Sequence, residues 1–341
     1  MFVPGLELSR AYYTEVVRPL AGRVPHSAAL IGPGSDVLDF DTVRSTDHDW
    51  GPRVLLFARP ADVPALRDRV TAALPDTFAG YRTVFGSDRA PARPGVVVTD
   101  AASWFTGHLG FDPGGPITIL DWLATPWQRL AEVTGGAVHH DGLGVLGPAR
   151  ERLRWYPPDL WRYVLSCQWH RIAQAEGFPG RCGEVGDETG SAVETARLAR
   201  DLMRLCLLMR RRYPPYAKWL GSAFARLTGT AELGDDLARA IAARTWRDGE
   251  EHLCRAYRRA AALHNRLALT APLDEAVRTY FDRPFRVIGA DRFARALRDR
   301  VTDPAVRALP PYGAVDQFAD GADLLTRPAA CRAAAAAVLG L

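Results

Sequence analysis

The sequence predicts an α+β fold: an N-terminal half built on a mixed sheet with flanking helices, then an all-α half. Three observations predict it. Short β-rich apolar runs alternate with helical patterns as far as about Asp112, helical spacing dominates beyond it, and Pro- or Gly-bearing breaks separate the later helical stretches. With 341 residues, 48% of them hydrophobic, the chain exceeds the usual size of one domain and can bury two cores. The boundary is expected near Gly147–Tyr156, giving domains at 1–150 and 151–341.

The first element is a helix, because Leu8, Tyr12, Val16 and Leu20 recur at the spacing of one buried face. Ser27–Ile31 is an apolar run that ends in Gly32-Pro33-Gly34-Ser35, a strand entering a tight turn. The charged stretch Asp39–Asp49 leads to a second strand at Val54–Ala58. Ala61–Leu74 carries Leu66, Val70 and Leu74 on one helical face, after Pro60. Tyr81–Phe85 reads as a strand, Ala90–Gly95 as a Pro/Gly-rich turn, and Gly95–Asp100 as a buried valine strand. Helices are then expected at Leu160–Glu176, Val193–Arg212, Leu233–Ala243, Glu250–Leu269, Leu273–Phe281, Ala290–Val301 and Pro328–Leu341. Trp161 and Trp169, at helical spacing with Val164 and Leu165, belong to a core.

The 43 basic residues against 39 acidic ones leave a net charge of +4, mild for a protein that grips nucleic acid, which is not an expected partner. Apolar runs fall far short of a bilayer span, and the start MFVPGLELSR lacks a basic region followed by an apolar one. No membrane partner and a cytoplasmic location are expected. Cys167, Cys182, Cys206, Cys254 and Cys331 show no paired spacing, so they read as reduced thiols.

The segment Ile31–Phe57, IGPGSDVLDFDTVRSTDHDWGPRVLLF, holds the parts that phosphoryl transfer requires. Gly34 and Ser35 offer unhindered backbone N–H groups and a hydroxyl to phosphate oxygens. Twelve positions later (47 − 35), Asp47 and Asp49 precede a strand. In an extended segment they project to one face with His48 opposite, and a carboxylate pair held close calls for a bridging cation. Oxygen-only ligands suit Mg²⁺ or Mn²⁺.

This pattern, hydrophobic-Gly34-Ser35 followed by Asp47-x-Asp49, resembles that of the polymerase β-like nucleotidyltransferases. More closely, IGPGSDVLDFDTVRSTDHDWGPR with DPGGPITILDWLATPWQRL, RYPPYAKWLGSAF and DRPFRVI is similar, over nearly the whole chain, to a bacterial family of unknown function in which such a domain precedes a helical one. The resemblance implies Mg²⁺ (or Mn²⁺) on Asp47 and Asp49 and nucleotide phosphates on Gly34 and Ser35. The implied reaction moves a nucleoside monophosphate from a triphosphate, with ATP as the default, to a small-molecule or protein acceptor and releases pyrophosphate. Many members carry a third acidic residue on a later strand. Asp100, closing VVVTD, stands on that kind of element and equally suits the cap of a following helix.

Two further segments are candidates. In RCGEVGDETGS, Arg181, Glu184 and Asp187 form either an acidic helix start or an acceptor pocket, where a carboxylate takes a proton or binds an ammonium group. Lys218, the sole lysine, follows the rigid Pro214-Pro215 break; it neutralises the triphosphate or is an ordinary surface residue. The alternative to an enzyme is a catalytically silent nucleotide- or partner-binding protein of the same fold, antitoxin-like.

Overall fold

The computed structural model describes residues 2–47, 49–87 and 90–341, and the chain divides into two compact units. The first comprises the chain up to Asp121 together with Gln128–Arg154; the second comprises Trp122–Trp127 and Trp155–Leu341. Among the described residues no helix is long and apolar enough to cross a membrane.

The first unit opens with α1 (Gly5–Tyr12), which continues through a π-helical turn at Tyr13–Val17 into α2 (Arg18–Ala21). Pro19 accounts for the widening: it has no N–H for the Glu15 carbonyl, and its ring crowds that oxygen. Next come β1 (His26–Leu30), a 3₁₀ turn (Val43–Asp47), β2 (Val54–Ala58), α3 (Val63–Ala73) and two hairpins, β3 (Thr77–Phe78) with β4 (Tyr81–Arg82) and β5 (Val84–Ser87) with β6 (Ala90–Pro94). Then follow β7 (Val96–Thr99), α4 (Ala101–Leu109), α5 (Ile119–Ala124), whose residues from Trp122 on belong to the second unit, α6 (Trp127–Thr134), which is in the first unit from Gln128 on, β8 (Ala137–Asp141) and α7 (Leu146–Leu153). The expected strand Tyr81–Phe85 is thus split between two hairpins, and the expected turn at Ala90–Gly95 is largely the strand β6.

The main sheet has the order β7-β2-β1-β8, with β1 antiparallel to both neighbours and β2 parallel to β7. Its mixed character is as expected. On one face Ala28, Val54, Leu56, Val96 and Val98 bury against Tyr12, Tyr13, Val17 and Ala21 of the first helix and Val63, Leu66 and Val70 of α3. Fully burying such a side chain stabilises the fold by about 1.5–3 kcal/mol. The register sets the direction that matters for function. The end of β1 and the starts of β2, β7 and β8 share one end of the sheet, since Ala29 pairs with Leu55, Leu30 with Ala137 and Val54 with Val96.

The second unit is helical, with α8 (Pro158–Ala175), α9 (Phe178–Glu184), α10 (Glu188–Met209), α11 (Ala217–Ala225), α12 (Ala231–Ala242) and α13 (Trp246–Arg266). A small hairpin of β9 (Arg278–Thr279) and β10 (Arg286–Val287) precedes α14 (Asp291–Asp299), α15 (Pro304–Ala308), α16 (Val315–Phe318), α17 (Ala322–Leu325) and α18 (Pro328–Leu339). Trp169 is fully buried, stacked on Phe293 at 4.5 Å, and donates to His264 Nδ1 at 3.2 Å. All five cysteines are free thiols. The helix expected at Leu273–Phe281 is absent. Asn265 instead accepts from the Leu273 N–H and donates to its carbonyl, while Asp274 accepts from Ala276, local bonds that compete with a helical ladder.

Candidate active site

At the end of β1 the chain turns sharply through Gly32 and Gly34, which have φ of +92° and +148°. Ser35–Phe40 then forms one closed helical turn, with the Phe40 N–H donating to Ser35 O at 2.8 Å and Asp39 in the left-handed region. Asp36 within it is 1% exposed. Its carboxylate accepts from Arg53 Nε at 3.2 Å, from Arg53 Nη2 and from the Val37 N–H at 3.1 Å. Arg53 Nη1 also donates to Pro33 O at 2.6 Å, so one guanidinium closes the bend from the β2 side. A Cβ on Gly34 would overlap both the Arg53 guanidinium and the Asp36 carboxylate. The Ser35 hydroxyl has no hydrogen-bond partner among the described residues.

A cavity of about 200 Å³ opens at this sheet end, bordered by Ile31, Pro33, Asp49, Arg53, Arg93 and Trp104 among others. Arg93 is exposed and has no ion-pair partner among the described residues. Trp104, on α4, lies 3.3 Å from where a Gly32 Cβ would stand and stacks on His108 at 4.8 Å. Arg129 Nη1 donates to the His108 carbonyl at 2.9 Å and lies 3.2 Å from His108 Nδ1. Arginine only donates, so Nδ1 accepts and the ring proton sits on Nε2. That nitrogen is 3.2 Å from Glu132 Oε2, within ion-pair reach but off the hydrogen-bond direction. The Glu132 carbonyl in turn accepts from the Gly32 N–H at 3.0 Å. Gly32, Glu132, His108 and Trp104 therefore form a chain of contacts behind the bend, with the Trp104 ring over the bare face of Gly32.

Asp47 and Asp49 stand at this same end, but their expected extended geometry is corrected. Asp47 closes the 3₁₀ turn, Asp49 has φ of +49°, and β2 begins five positions later (54 − 49). Alternation of faces along a strand therefore does not apply to them. Both are exposed, and Asp49 borders the cavity while Asp47, Gly34 and Ser35 are not among its lining residues. His48 lies outside the described residues.

Of the two readings of Asp100, the structure shows the helix cap. It is the N-cap of α4, accepting from the Ser103 N–H at 2.9 Å, a bond that lowers its pKa below the usual carboxylate value. Thr99 pairs with Phe57 and Phe57 with Ser27, so Asp100 sits at the opposite end of the sheet from Gly34 and Asp49. It has no place on a metal shared with them.

In the second unit, Asp187 caps α10 through the Gly190 N–H at 2.7 Å, and Glu184 pairs with Arg283 at 3.2 Å. Arg181 is exposed on α9, 5.9 Å from the Phe178 ring. Capping accounts for Asp187 and ion pairing for Glu184, as the helix-start reading of this segment expects. Lys218 is exposed on α11, its Nζ 5.5 Å from the Trp219 ring.

Asp36, Arg53, Trp104, His108 and Glu132 were not picked out from the sequence. The first two flank the predicted motif, Asp36 directly after Ser35 and Arg53 directly before β2, and that adjacency was the available signal. No curated protein and no solved structure matches the chain. A family model described as a domain of unknown function (DUF4037) matches residues 122–220, which is 99 of the 341, a span holding Arg181, Glu184, Asp187 and Lys218 but not the glycine bend or Asp47 and Asp49.

Proposed function

We propose that the first unit is a nucleotidyltransferase module that holds a nucleoside triphosphate at the glycine end of its sheet. It passes a nucleoside monophosphate, AMP by preference, to a small-molecule or protein acceptor. The observation that carries this reading is the meeting, at one sheet end, of the Gly34-Ser35 bend, the loop bearing Asp47 and Asp49, and a cavity bordered by Arg53 and Arg93. Backbone N–H groups at a bend and guanidinium groups are the usual partners of phosphate oxygens. Arg53 is committed to Asp36 and Pro33 and fixes the bend; Arg93 and the Ser35 hydroxyl are left for the triphosphate. The polymerase β-like pattern of the sequence supports the same reading.

Asp47 and Asp49 fit a divalent cation in one mode. Among the described residues no group of three or more His, Cys, Asp and Glu side chains could hold a metal ion, so a cage built by them alone is not offered. Two exposed carboxylates match the mode in which Mg²⁺ keeps waters and takes further oxygens from substrate phosphates. Bound so, Mg²⁺ or Mn²⁺ would offset the charge of the triphosphate.

A second reading, a silent nucleotide-binding protein, is favoured by Asp100: without it two carboxylates remain where many polymerase β-like enzymes use three. Pyrophosphate release separates the two. Purified protein with Mg²⁺, each of the four labelled triphosphates and a metabolite extract should release pyrophosphate and give a mass-shifted product. Asp49→Asn should lower the rate on the order of a hundredfold or more. Triphosphate binding without pyrophosphate release would leave the silent reading, and no binding of any triphosphate would end both.

A further inference from the structure

The second unit contains a groove of about 260 Å³ beside the start of α10 and the junction of α12 with α13. Glu188, Ser191 and Thr195 follow one another at three- and four-residue steps, so they share a face of α10, and all three line the groove. Arg244 and Trp246 face them from the α12–α13 junction, and Ala240, Ala243 and Gly249 leave the space between open. At about 30 Å³ per liquid water the volume holds several solvent molecules, and it approaches the lower bound of small-molecule pockets.

Two hydroxyls on nearly buried residues border the groove and point to a ligand. Ser191 is 2% and Thr195 4% exposed, and neither side chain has a hydrogen-bond partner among the described residues. A helical hydroxyl often bonds the carbonyl one turn back; these two make no such bond and border the groove instead. The charges define the ligand's chemistry. Glu188 Oε2 accepts from the Trp246 N–H at 2.7 Å, which compensates the positive start of α13 and leaves its second oxygen available. Arg244 is exposed and without an ion-pair partner among the described residues. A dianion would meet the Glu188 carboxylate and a dication the Arg244 guanidinium, whereas a molecule carrying one charge of each sign satisfies both.

We propose that this groove binds a small zwitterion of the free amino acid class, with its carboxylate on Arg244 and the Ser191 and Thr195 hydroxyls and its ammonium on Glu188. The assignment stands apart from the nucleotide reading of the first unit. Its test is a thermal-shift and tryptophan-fluorescence titration of the full chain with each of the common L-amino acids at millimolar concentration, alongside the amide and N-acetyl derivative of any that binds. At least one amino acid should raise the melting temperature and saturate, and blocking either charged end should weaken it about tenfold or more. Arg244→Gln and Ser191→Ala should each weaken binding similarly while leaving the ligand-free melt unchanged, since the one side chain is exposed and the other makes no bond. No response to any amino acid, equal binding of the blocked derivatives or of acetate, or full affinity in both variants would overturn the proposal.

Discussion

Gly34 has a φ of +148° and lies under the Arg53–Asp36 pair, so an alanine there meets two obstacles at once. Gly22 supplies the control: its φ is +60°, but nothing lies within 4 Å of its would-be Cβ. Gly22→Ala should cost only backbone strain, about 1–3 kcal/mol, whereas Gly34→Ala should cost more, about 2–4 kcal/mol, because the ion pair must shift as well. Urea midpoints of the two variants compare them directly. Equal losses would mean that the guanidinium does not press on the bend. At this scale Gly34, Ser35, Asp47 and Asp49 were legible as candidates because a local spacing singles them out. The Asp36–Arg53 pair was not, since it depends on the β1–β2 register bringing together residues seventeen positions apart (53 − 36). The cluster of Gly32, Trp104, His108 and Glu132 joins the turn after β1 to α4 and α6 and leaves no local trace.

Elements were legible where one periodicity acted alone. Val54–Ala58 was read at its observed bounds because five apolar residues in a row admit few other structures. β8 was missed because AVHHD carries two histidines in place of an apolar alternation; its pairing with β1 includes an irregularity between Ala28 and Ala29. Leu273–Phe281 mimics helical spacing, yet Asn265 and Asp274 capture its backbone groups. Asp100 was placed on a suitable strand, but the sequence could not say which end of the sheet that strand's last residue reaches. Its assignment as the α4 cap gives an element-scale prediction. Asp100→Ala should destabilise the first unit by about 1 kcal/mol, and Asp100→Asn, which still caps, by much less. Pyrophosphate release measured below both melting temperatures should match the parent protein. Loss of turnover in the asparagine variant would return Asp100 to the catalytic set.

Across the whole molecule the two units carry titrating groups of opposite sense, and their responses to acid should separate. In the first unit burial, aided by the charge of Arg10, holds His139 down at about 4 against 6.5 for a free histidine, and burial also lowers His26. The unfolded chain takes up these protons before the folded one does, so their contribution is present above pH 6.5 and is lost as pH falls toward about 4. In the second unit His264, lowered to about 4 by burial, acts in the same direction. Against it stand Glu176, which burial raises to about 7 despite three backbone N–H donors, and Asp316, which burial raises to about 6. Here the folded state binds the proton first, so their contribution is present below the ordinary carboxyl values and is lost as pH rises through about 6 and 7. Acidification from pH 7 toward 5 therefore weakens the first unit, while in the second the gain from Glu176 and Asp316 offsets the loss at His264. Calorimetry across this range should show two transitions rather than one two-state melt, and only one of them should fall steeply with acid. His139→Phe should flatten that transition's pH dependence. Glu176→Gln, an uncharged acceptor of similar shape, should make the other more acid-sensitive by leaving His264 less opposed. Transitions that shift in parallel with pH, in the parent and in both variants, would show that His139 and Glu176 do not govern the response.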